Sequence, residues 1–147
     1  VIIIGLTQII GNHDYNGLSL GLIQQSFIKH GVVNYAFILK LLFTAVTLGF
    51  GFKGGEVTPL FCIGATAGAM VDSLAGYTGF FAAIGFVSVF GGAANTPISS
   101  ILLGIELFGA PMALPIGVAC ILTYILTGHR GIYSSQKVHT RKDMVVR

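Results

Sequence analysis

The sequence from Gly54 to Pro59 reads GGEVTP, a glycine-rich turn that carries one carboxylate, Glu56, and one hydroxyl, Thr58. Apolar segments flank this turn on both sides. Inside a bilayer, a break between helices is tolerated only where protein or a water-filled cavity satisfies the backbone polar groups. Transporters place their ion and substrate sites at such breaks. Ionisable chemistry at an interrupted apolar segment therefore predicts an ion site.

A helix that starts at this turn suits an anion. A helix leaves the N–H groups of its first turn without an intrahelical partner, and that end carries a partial positive charge of about +0.5. An anion is held there without a full positive charge that would trap it. A small, strongly hydrated anion loses more on leaving water than a large one, and the hydroxyl of Thr58 adds a compact donor. The same hydroxyl also suits a helix cap, and the two roles are compatible.

Glu56 allows two interpretations. An ionised carboxylate beside a bound anion is repelled and desolvated, so Glu56 is expected to be protonated or to move away when the anion is present. That behaviour links anion occupancy to proton uptake, as an antiporter requires. In the alternative, Glu56 is an exposed acid in the first helical turn, where the helix dipole favours it.

The composition predicts a membrane protein. The chain has 147 residues, of which 54% are hydrophobic and 9% are charged, with a mean hydropathy of +0.86. Soluble domains carry about 25% charged residues. Twenty-one glycines without tryptophan, and no alternation of apolar and polar residues, favour closely packed helices over a β-barrel.

Several classes of site are excluded by spacing. The sequence has no phosphate-binding loop with a Lys-Ser/Thr pair and no nucleophile combined with a base and an orienting acid, so we expect neither an enzyme nor a bound cofactor. The histidines show no zinc spacing, and no metal site is expected. Cys62 and Cys120 are isolated in apolar stretches, which favours packing roles. Nothing suggests nucleic acid as a partner.

Helices too short to cross a bilayer singly are the predicted elements. Residues 1–10 read as the remnant of a span whose upstream part is missing, and residues 18–30 as an amphipathic interfacial helix. Residues 60–75 are 16 residues, or about 24 Å of helix against a hydrocarbon core of about 30 Å. The other predicted helices are residues 34–49, 80–90, 97–108 and 112–126.

Local signals mark the ends and contacts of these helices. Gly64 and Gly68 form a GxxxG pair that allows another helix to approach closely, without specifying which. Asn95 or Thr96 can cap a helix that has Pro97 in its first turn. The helix is expected to break at 109–111, which reads Gly-Ala-Pro. Residues 136–147 form a basic tail, which the positive-inside rule places in the cytoplasm.

Three segments in this order resemble the second half of the membrane domain of the CLC family of chloride channels and proton-coupled anion transporters. They are the GGEVTP turn, the segment from Asn95-Thr96-Pro97 to Glu106-Leu107, and the turn from Gly128 to Tyr133-Ser134. The resemblance covers nearly the whole chain. It implies an all-α, multi-pass cell-membrane protein with short, tilted and broken helices, in which residues 1–147 form one partial membrane domain of an inverted-repeat fold.

The resemblance also implies the roles of particular residues. The anion is expected at the backbone amides of the helix start, with the hydroxyl of Tyr133; the candidate anion-binding residues are Gly55, Glu56, Val57, Thr58 and Tyr133. Without the resemblance, Tyr133 reads as an interfacial aromatic anchor. The family's gating glutamate belongs to the first half of the domain and has no counterpart in this chain.

One departure from the common family pattern indicates a subtype. The turn has Val57 where the family commonly has phenylalanine, and it adds Glu56 and Thr58, which is similar to the fluoride-exporting proton antiporter branch. Proton-coupled fluoride export is therefore the predicted function. The alternatives are a chloride-selective transporter or voltage-gated chloride channel of the same family, and a non-transporting membrane assembly subunit.

The predicted partners are a fluoride or chloride ion, a proton and the lipid bilayer. By resemblance, a homodimer is expected through the helices from Pro97 to Phe108 and from Met112 to Leu126. Two charged residues remain outside the site. Glu106 is interpreted as a buried structural carboxylate, with proton carrier as the alternative. Lys40 is interpreted as extending to a membrane interface, with a position in a cavity as the alternative.

Overall fold

The computed structural model describes residues 7–8, 11, 15, 17–28, 32–33, 35–51, 55–128 and 131–133. Between residues 20 and 127 it forms six α-helices, which confirms the all-α expectation for the described residues. The predictions of a span remnant at 1–10 and of a basic tail at 136–147 fall largely or wholly outside them. The helices are α1 (Leu20–Ser26), α2 (Ala36–Gly49), α3 (Val57–Ala75), α4 (Phe80–Ala93), α5 (Pro97–Phe108) and α6 (Ala113–Thr127), with a 3₁₀ turn at Ala110–Met112 before α6.

Helices α3 and α4 form an antiparallel pair whose backbones touch. A Cβ atom built on Gly64 would lie 2.1 Å from the carbonyl oxygen of Gly85, and one on Gly68 would lie 2.0 Å from that of Phe81. Only residues without a Cβ fit such an approach. The GxxxG pair therefore acts as predicted, and its partner is α4.

A buried carboxylate closes the far end of this pair. Asp72, on the last turns of α3, accepts hydrogen bonds from the backbone N–H of Phe81 at 3.0 Å and of Ala82 at 2.9 Å. These N–H groups belong to the first turn of α4, which has no intrahelical acceptor for them. Asp72 is 4% exposed, so it caps α4 from within the protein. This role of Asp72 was not predicted from the sequence.

Helix α3 differs from the prediction, because it starts at Val57 and not at Leu60. Pro59 lies inside the first turn, where the missing N–H would have had no partner anyway, so it does not delay the helix. At 19 residues, α3 is long and apolar enough to cross a membrane, as is the segment Ala110–Thr127. The expectation that this helix was too short is wrong.

The remaining boundaries agree with the prediction to different degrees. Helix α5 has the predicted ends, and the predicted break follows at Gly109, which has φ 86°. Helix α4 runs three residues beyond Phe90, and α1 is only seven residues long. Thr96 is the N-cap residue of α5, but its side chain makes no capping hydrogen bond, so the prediction that the Thr96 hydroxyl caps this helix is wrong.

Two hydrophobic clusters among the described residues hold the helices together. One contains Cys62 with residues of α1, α2 and the segment before α1, and the other contains Val87, Ile116 and Cys120 between α4 and α6. Both cysteines are fully buried and free, which confirms their packing roles. Helix α6 is also bonded to α4, since the Thr123 hydroxyl lies 3.0 Å from the carbonyl oxygen of Ser88.

Lys40 on α2 does not extend to an interface. Its side chain is buried, with 2% exposure, and the ammonium donates to the carbonyl oxygens of Tyr15 and Gly17 and to the hydroxyl oxygen of Ser19. The prediction that Lys40 extends to a membrane interface is wrong, because the acceptors before α1 lie against α2 and bind the ammonium.

Candidate anion-binding site

The start of α3 has the features that the sequence predicted. Glu56 is the N-cap residue, and its carbonyl oxygen accepts a 3.3 Å hydrogen bond from the backbone N–H of Leu60. No side-chain hydrogen bond caps this helix among the described residues. Thr58 is therefore not a cap, and the helix geometry leaves the N–H groups of its first turn without intrahelical acceptors.

Helix packing places this start beside the end of α4. Gly64 faces Gly85 and Gly68 faces Phe81, so in the same antiparallel register Val57, two turns before Gly64, lies level with the last residues of α4. Aromatic packing supports this alignment. The ring of Phe61, one turn into α3, stacks on Phe86 with centroids 4.3 Å apart and lies 4.8 Å from the ring of Phe90.

The segment that carries Tyr133 is attached to the same end of the pair. The backbone N–H of Ile132 donates a 2.9 Å hydrogen bond to the carbonyl oxygen of Ala93, the last residue of α4. The Tyr133 side chain is 47% exposed. The structure thus brings the start of α3 and Tyr133 to one end of the α3–α4 pair, although they are far apart in sequence.

The chemistry available at this end is that of an anion site with an ionisable neighbour. Glu56, Val57 and Thr58 are half-buried and Gly55 is exposed. The backbone donors and the hydroxyl of Thr58 are compact, neutral groups, and the dipole of α3 adds its positive end. The binding roles of Gly55, Glu56, Val57, Thr58 and Tyr133 remain predictions.

The contacts that hold the site in place were not predicted from the sequence. Ring stacking by Phe61 orients the start of α3, and the hydrogen bond from Ile132 to Ala93 orients the segment of Tyr133. Neither contact involves a polar side chain of the sequence motifs. The spacing of Phe86 and Phe90, four residues apart on one helix face, was a usable signal for an aromatic contact. The backbone hydrogen bond left no signal in the sequence.

The other polar residues discussed above lie away from this end of the α3–α4 pair or are not among the residues that the structure describes. Glu106 is exposed near the end of α5, so the interpretation as a buried structural carboxylate is wrong for this chain. All four histidines, at 13, 30, 129 and 139, lie outside the described residues. Among the described residues, no group of three or more His, Cys, Asp or Glu side chains could hold a metal ion.

Sequence comparisons identify similar proteins. The sequence profile of the family described as voltage gated chloride channel matches residues 1–128. The chain is 47% identical to a protein named chloride/fluoride channel protein from Pseudomonas syringae pv. tomato, over 136 residues that cover 92% of this chain and 30% of the relative. It is 30% identical to an uncharacterised protein of Methanocaldococcus jannaschii, over 76% of this chain and 29% of that protein.

A solved structure agrees with these matches. The fold matches the crystal structure of a CLC-type fluoride/proton antiporter with a TM-score of 0.85 and 36% sequence identity. The match covers 92% of this chain and 35% of the antiporter chain. Our chain thus spans about a third of the length of the proteins it matches.

The fold, the profile match and these identities agree with each other. The family consists of membrane channels and transporters and not of enzymes, which supports the exclusion of catalysis made from the sequence. The chain belongs to the voltage gated chloride channel family, the CLC family.

Proposed function

We propose that the protein to which this chain contributes exports fluoride across the cell membrane in exchange for protons. One observation carries the proposal: the start of α3, with Glu56 and Thr58, and the segment of Tyr133 meet at one end of the α3–α4 pair. The likeness to a CLC-type fluoride/proton antiporter over 92% of this chain supports the same function.

In this proposal, the anion binds at the N–H groups of the first turn of α3. Their partial positive charge attracts a halide without the full charge of a lysine or arginine, so the ion is released again. The hydroxyls of Thr58 and Tyr133 donate further hydrogen bonds. A small anion such as fluoride needs several compact donors, because it loses more hydration free energy than chloride on entering the site.

Glu56 couples the anion to the proton. Glu56 is the N-cap residue of α3, so its carboxylate belongs to the residue next to the amides that hold the halide. An ionised carboxylate and a halide repel each other at this distance, so the doubly charged state is disfavoured. Halide entry therefore favours the protonated or displaced carboxylate, and halide release favours the ionised one. When halide release and proton release alternate in this way over many cycles, the protein moves halide and protons in opposite directions.

Chloride transport is the alternative within the family, since the relative from Pseudomonas syringae is named for both halides. Flux measurements on the full-length protein in liposomes separate the two functions. The proposal predicts fluoride efflux that drives proton influx, with chloride moving much more slowly. Equal chloride and fluoride fluxes would favour the alternative, and fluoride efflux without opposing proton movement would contradict antiport.

A homodimer through α5 and α6 is part of the proposal, with the C-terminus in the cytoplasm. Supporting it, both helices expose large apolar side chains: Ile98 is 75% exposed, Leu114 is 80% exposed and Leu126 is 83% exposed. Replacing Ile98 and Leu114 by tryptophan should convert a dimer into a monomer, which light scattering in detergent detects. A dimer of unchanged mass would contradict this interface.

A non-transporting assembly subunit is the remaining alternative. It is distinguished by the same liposomes, because an assembly subunit moves no halide on its own. Fluoride efflux from liposomes that contain only the full-length protein would exclude it. A complete lack of flux for both halides, in protein shown to be folded, would favour it.

A further inference from the structure

Glu106 lies at the centre of the outward face of α5. The inward face of this helix packs against α4 and α6 and carries Ser100, Ile101, Gly104 and Phe108. With 3.6 residues per turn, Glu106 projects to the opposite side. It is exposed, and so are Ser99 and Leu102 beside it on that face. An acid thus lies on the side of α5 that no described helix covers.

The packing of α5 on α4 sets the level of Glu106 along the helices. Residues 94–96 join the two helices, and a connection this short makes them antiparallel. A Cβ built on Gly104 would lie 3.3 Å from the Cγ2 atom of Val87 on α4. Glu106, two residues beyond Gly104, is therefore level with Gly85.

This level is close to the middle of α3. Gly85 faces Gly64, the eighth residue of the 19-residue helix Val57–Ala75, and the centre of that helix is about 3 Å further along its axis. Helix α3 is about 28 Å long, close to the hydrocarbon thickness of about 30 Å. In a membrane that α3 crosses, Glu106 thus lies near the mid-plane.

Lipid is an unfavourable neighbour for a carboxylate at this depth. Ionisable side chains within membrane helices almost always face protein or a water-filled cavity, where they find partners. A glutamate side chain is also too short to reach the membrane surface from the mid-plane, whereas a lysine near a helix end can do so. We therefore expect Glu106 to be covered in the full-length protein.

A second copy of the chain offers Glu106 no hydrogen-bond donor. Two copies with the same orientation in the membrane are related by an axis along the membrane normal, so residues of equal depth meet. Within about 6 Å of the level of Glu106, the large exposed side chains of α5 and α6 are apolar: Leu102, Leu107, Leu114 and Val118. The other group at this depth is the Glu106 carboxylate of the second copy, which carries the same charge.

We propose that the outward face of α5 is a docking surface for the remaining part of the full-length polypeptide, and that Glu106 accepts hydrogen bonds from N–H or hydroxyl groups of that part. The chain spans about a third of the length of the proteins it matches, so enough polypeptide lies outside it to cover this face. Asp72 provides an example within the chain, since its buried carboxylate accepts the N–H groups that begin α4. The inference does not depend on which ion the protein moves.

The proposed dimer contact of α5 is compatible with this docking surface. Ile98, which the dimer is proposed to use, lies eight residues before Glu106 on α5. That spacing corresponds to about 12 Å along the helix axis and about 80° around it. The two residues therefore contact different neighbours.

The direction of a stability change tests the role of Glu106. Glu106→Leu leaves the donors of the docked part without an acceptor, so the melting temperature of the full-length protein in lipid nanodiscs should fall by about 3–10 °C. Glu106→Gln keeps one acceptor oxygen and should lose less. An unchanged or higher melting temperature in Glu106→Leu would overturn the proposal, because a carboxylate that faces lipid gains nothing from its charge.

Photo-cross-linking identifies what covers the face, with Glu106 left intact. The photoreactive amino acid p-benzoylphenylalanine is incorporated at Leu102 in one full-length variant and at Leu107 in another, since both side chains are exposed near Glu106. After irradiation in liposomes, mass spectrometry should find a product of monomer mass in which the probe is joined to a peptide outside residues 1–147. The proposal is overturned if both positions give only products of dimer mass, lipid adducts or cross-links within residues 1–147.

Discussion

The backbone N–H of Ile132 donates a 2.9 Å hydrogen bond to the carbonyl oxygen of Ala93. This bond joins the turn before Tyr133 to the last residue of α4, and α4 is aligned with α3 by the contact of Gly64 with Gly85. Tyr133 is thereby positioned through the backbone, while its side chain stays partly exposed for another contact.

Removal of the Tyr133 hydroxyl should weaken halide binding. Because a single hydrogen bond contributes about 0.5–1.5 kcal/mol, Tyr133→Phe should raise the halide dissociation constant about two- to tenfold. Calorimetry on the full-length protein measures this change. Tyr77→Phe is the control, since Tyr77 lies in the turn at the opposite end of the α3–α4 pair. Equal effects of the two substitutions would count against a binding role for Tyr133.

Neutralising Glu56 should uncouple the protein. In Glu56→Gln the side chain keeps its size but no longer exchanges a proton, so proton influx per fluoride exported should fall severalfold. Simultaneous fluoride-electrode and pH measurements on liposomes give this ratio. Glu106→Gln, which changes an exposed acid on α5, should keep the wild-type ratio. Coupling that survives in Glu56→Gln would remove Glu56 from the mechanism.

Adding one methyl group at Gly68 should separate α3 from α4. A Cβ there would lie 2.0 Å from the Phe81 carbonyl oxygen and 2.6 Å from the Cα of Ala82, both backbone atoms. Gly68→Ala should therefore lower the free energy of unfolding by about 2–3 kcal/mol. Thermal unfolding in detergent measures this loss.

Gly21→Ala provides the control for that measurement. Gly21 lies within α1 and a Cβ there would meet nothing within 4 Å. The substitution should leave stability unchanged or raise it slightly, because alanine favours helix more than glycine does. A Gly68→Ala protein as stable as Gly21→Ala would mean that the two helices are not in close contact.

Loss of the Asp72 carboxylate should weaken the start of α4. Asp72→Ala leaves the N–H groups of Phe81 and Ala82 without acceptors, at a cost of about 1–3 kcal/mol. Hydrogen exchange should accelerate at these two amides before the rest of α4. Ser73→Ala, at the adjacent position, should leave their exchange unchanged. Protection that persists in Asp72→Ala would show that the cap is dispensable.

Ser100 should tolerate loss of its hydroxyl. Its Oγ atom is fully buried and has no hydrogen-bond partner among the described residues. Ser100→Ala removes a buried polar atom and should leave thermal stability unchanged or slightly higher. Thr123→Val, which deletes the hydroxyl near the Ser88 carbonyl, should instead cost about 1 kcal/mol. A marked loss of stability in Ser100→Ala would reveal a partner for this hydroxyl.

Local signals in the sequence were sufficient for part of the fold. The ends of α5 were predicted because Pro97 and Gly109 act on the backbone next to them, and neither needs a distant contact. The start of α3 was misplaced for a related reason: Pro59 reads as a helix boundary, although the first turn accepts it. The sequence thus predicted the turn at Glu56, but not the residue at which α3 begins.

Contacts between distant residues account for what the sequence did not reveal. Lys40 meets acceptors 21 to 25 residues earlier in the chain, and Asp72 bonds amides nine and ten residues later. Both side chains look like isolated charges in an apolar context until the chain folds. The same holds for the candidate site. Glu56 and Tyr133 were each predicted from the sequence, but their position at the same end of the α3–α4 pair depends on how these two helices pack.

The glycine contacts and the carboxylate cap that join α3 to α4 all lie within one continuous stretch of chain, from Val57 to Ala93. Such short-range contacts form quickly, because little chain entropy is lost in closing them. This two-helix unit is therefore suited to assemble as it leaves the ribosome, before α6 has been synthesised. Later helices would then enter the lipid against a surface already in place.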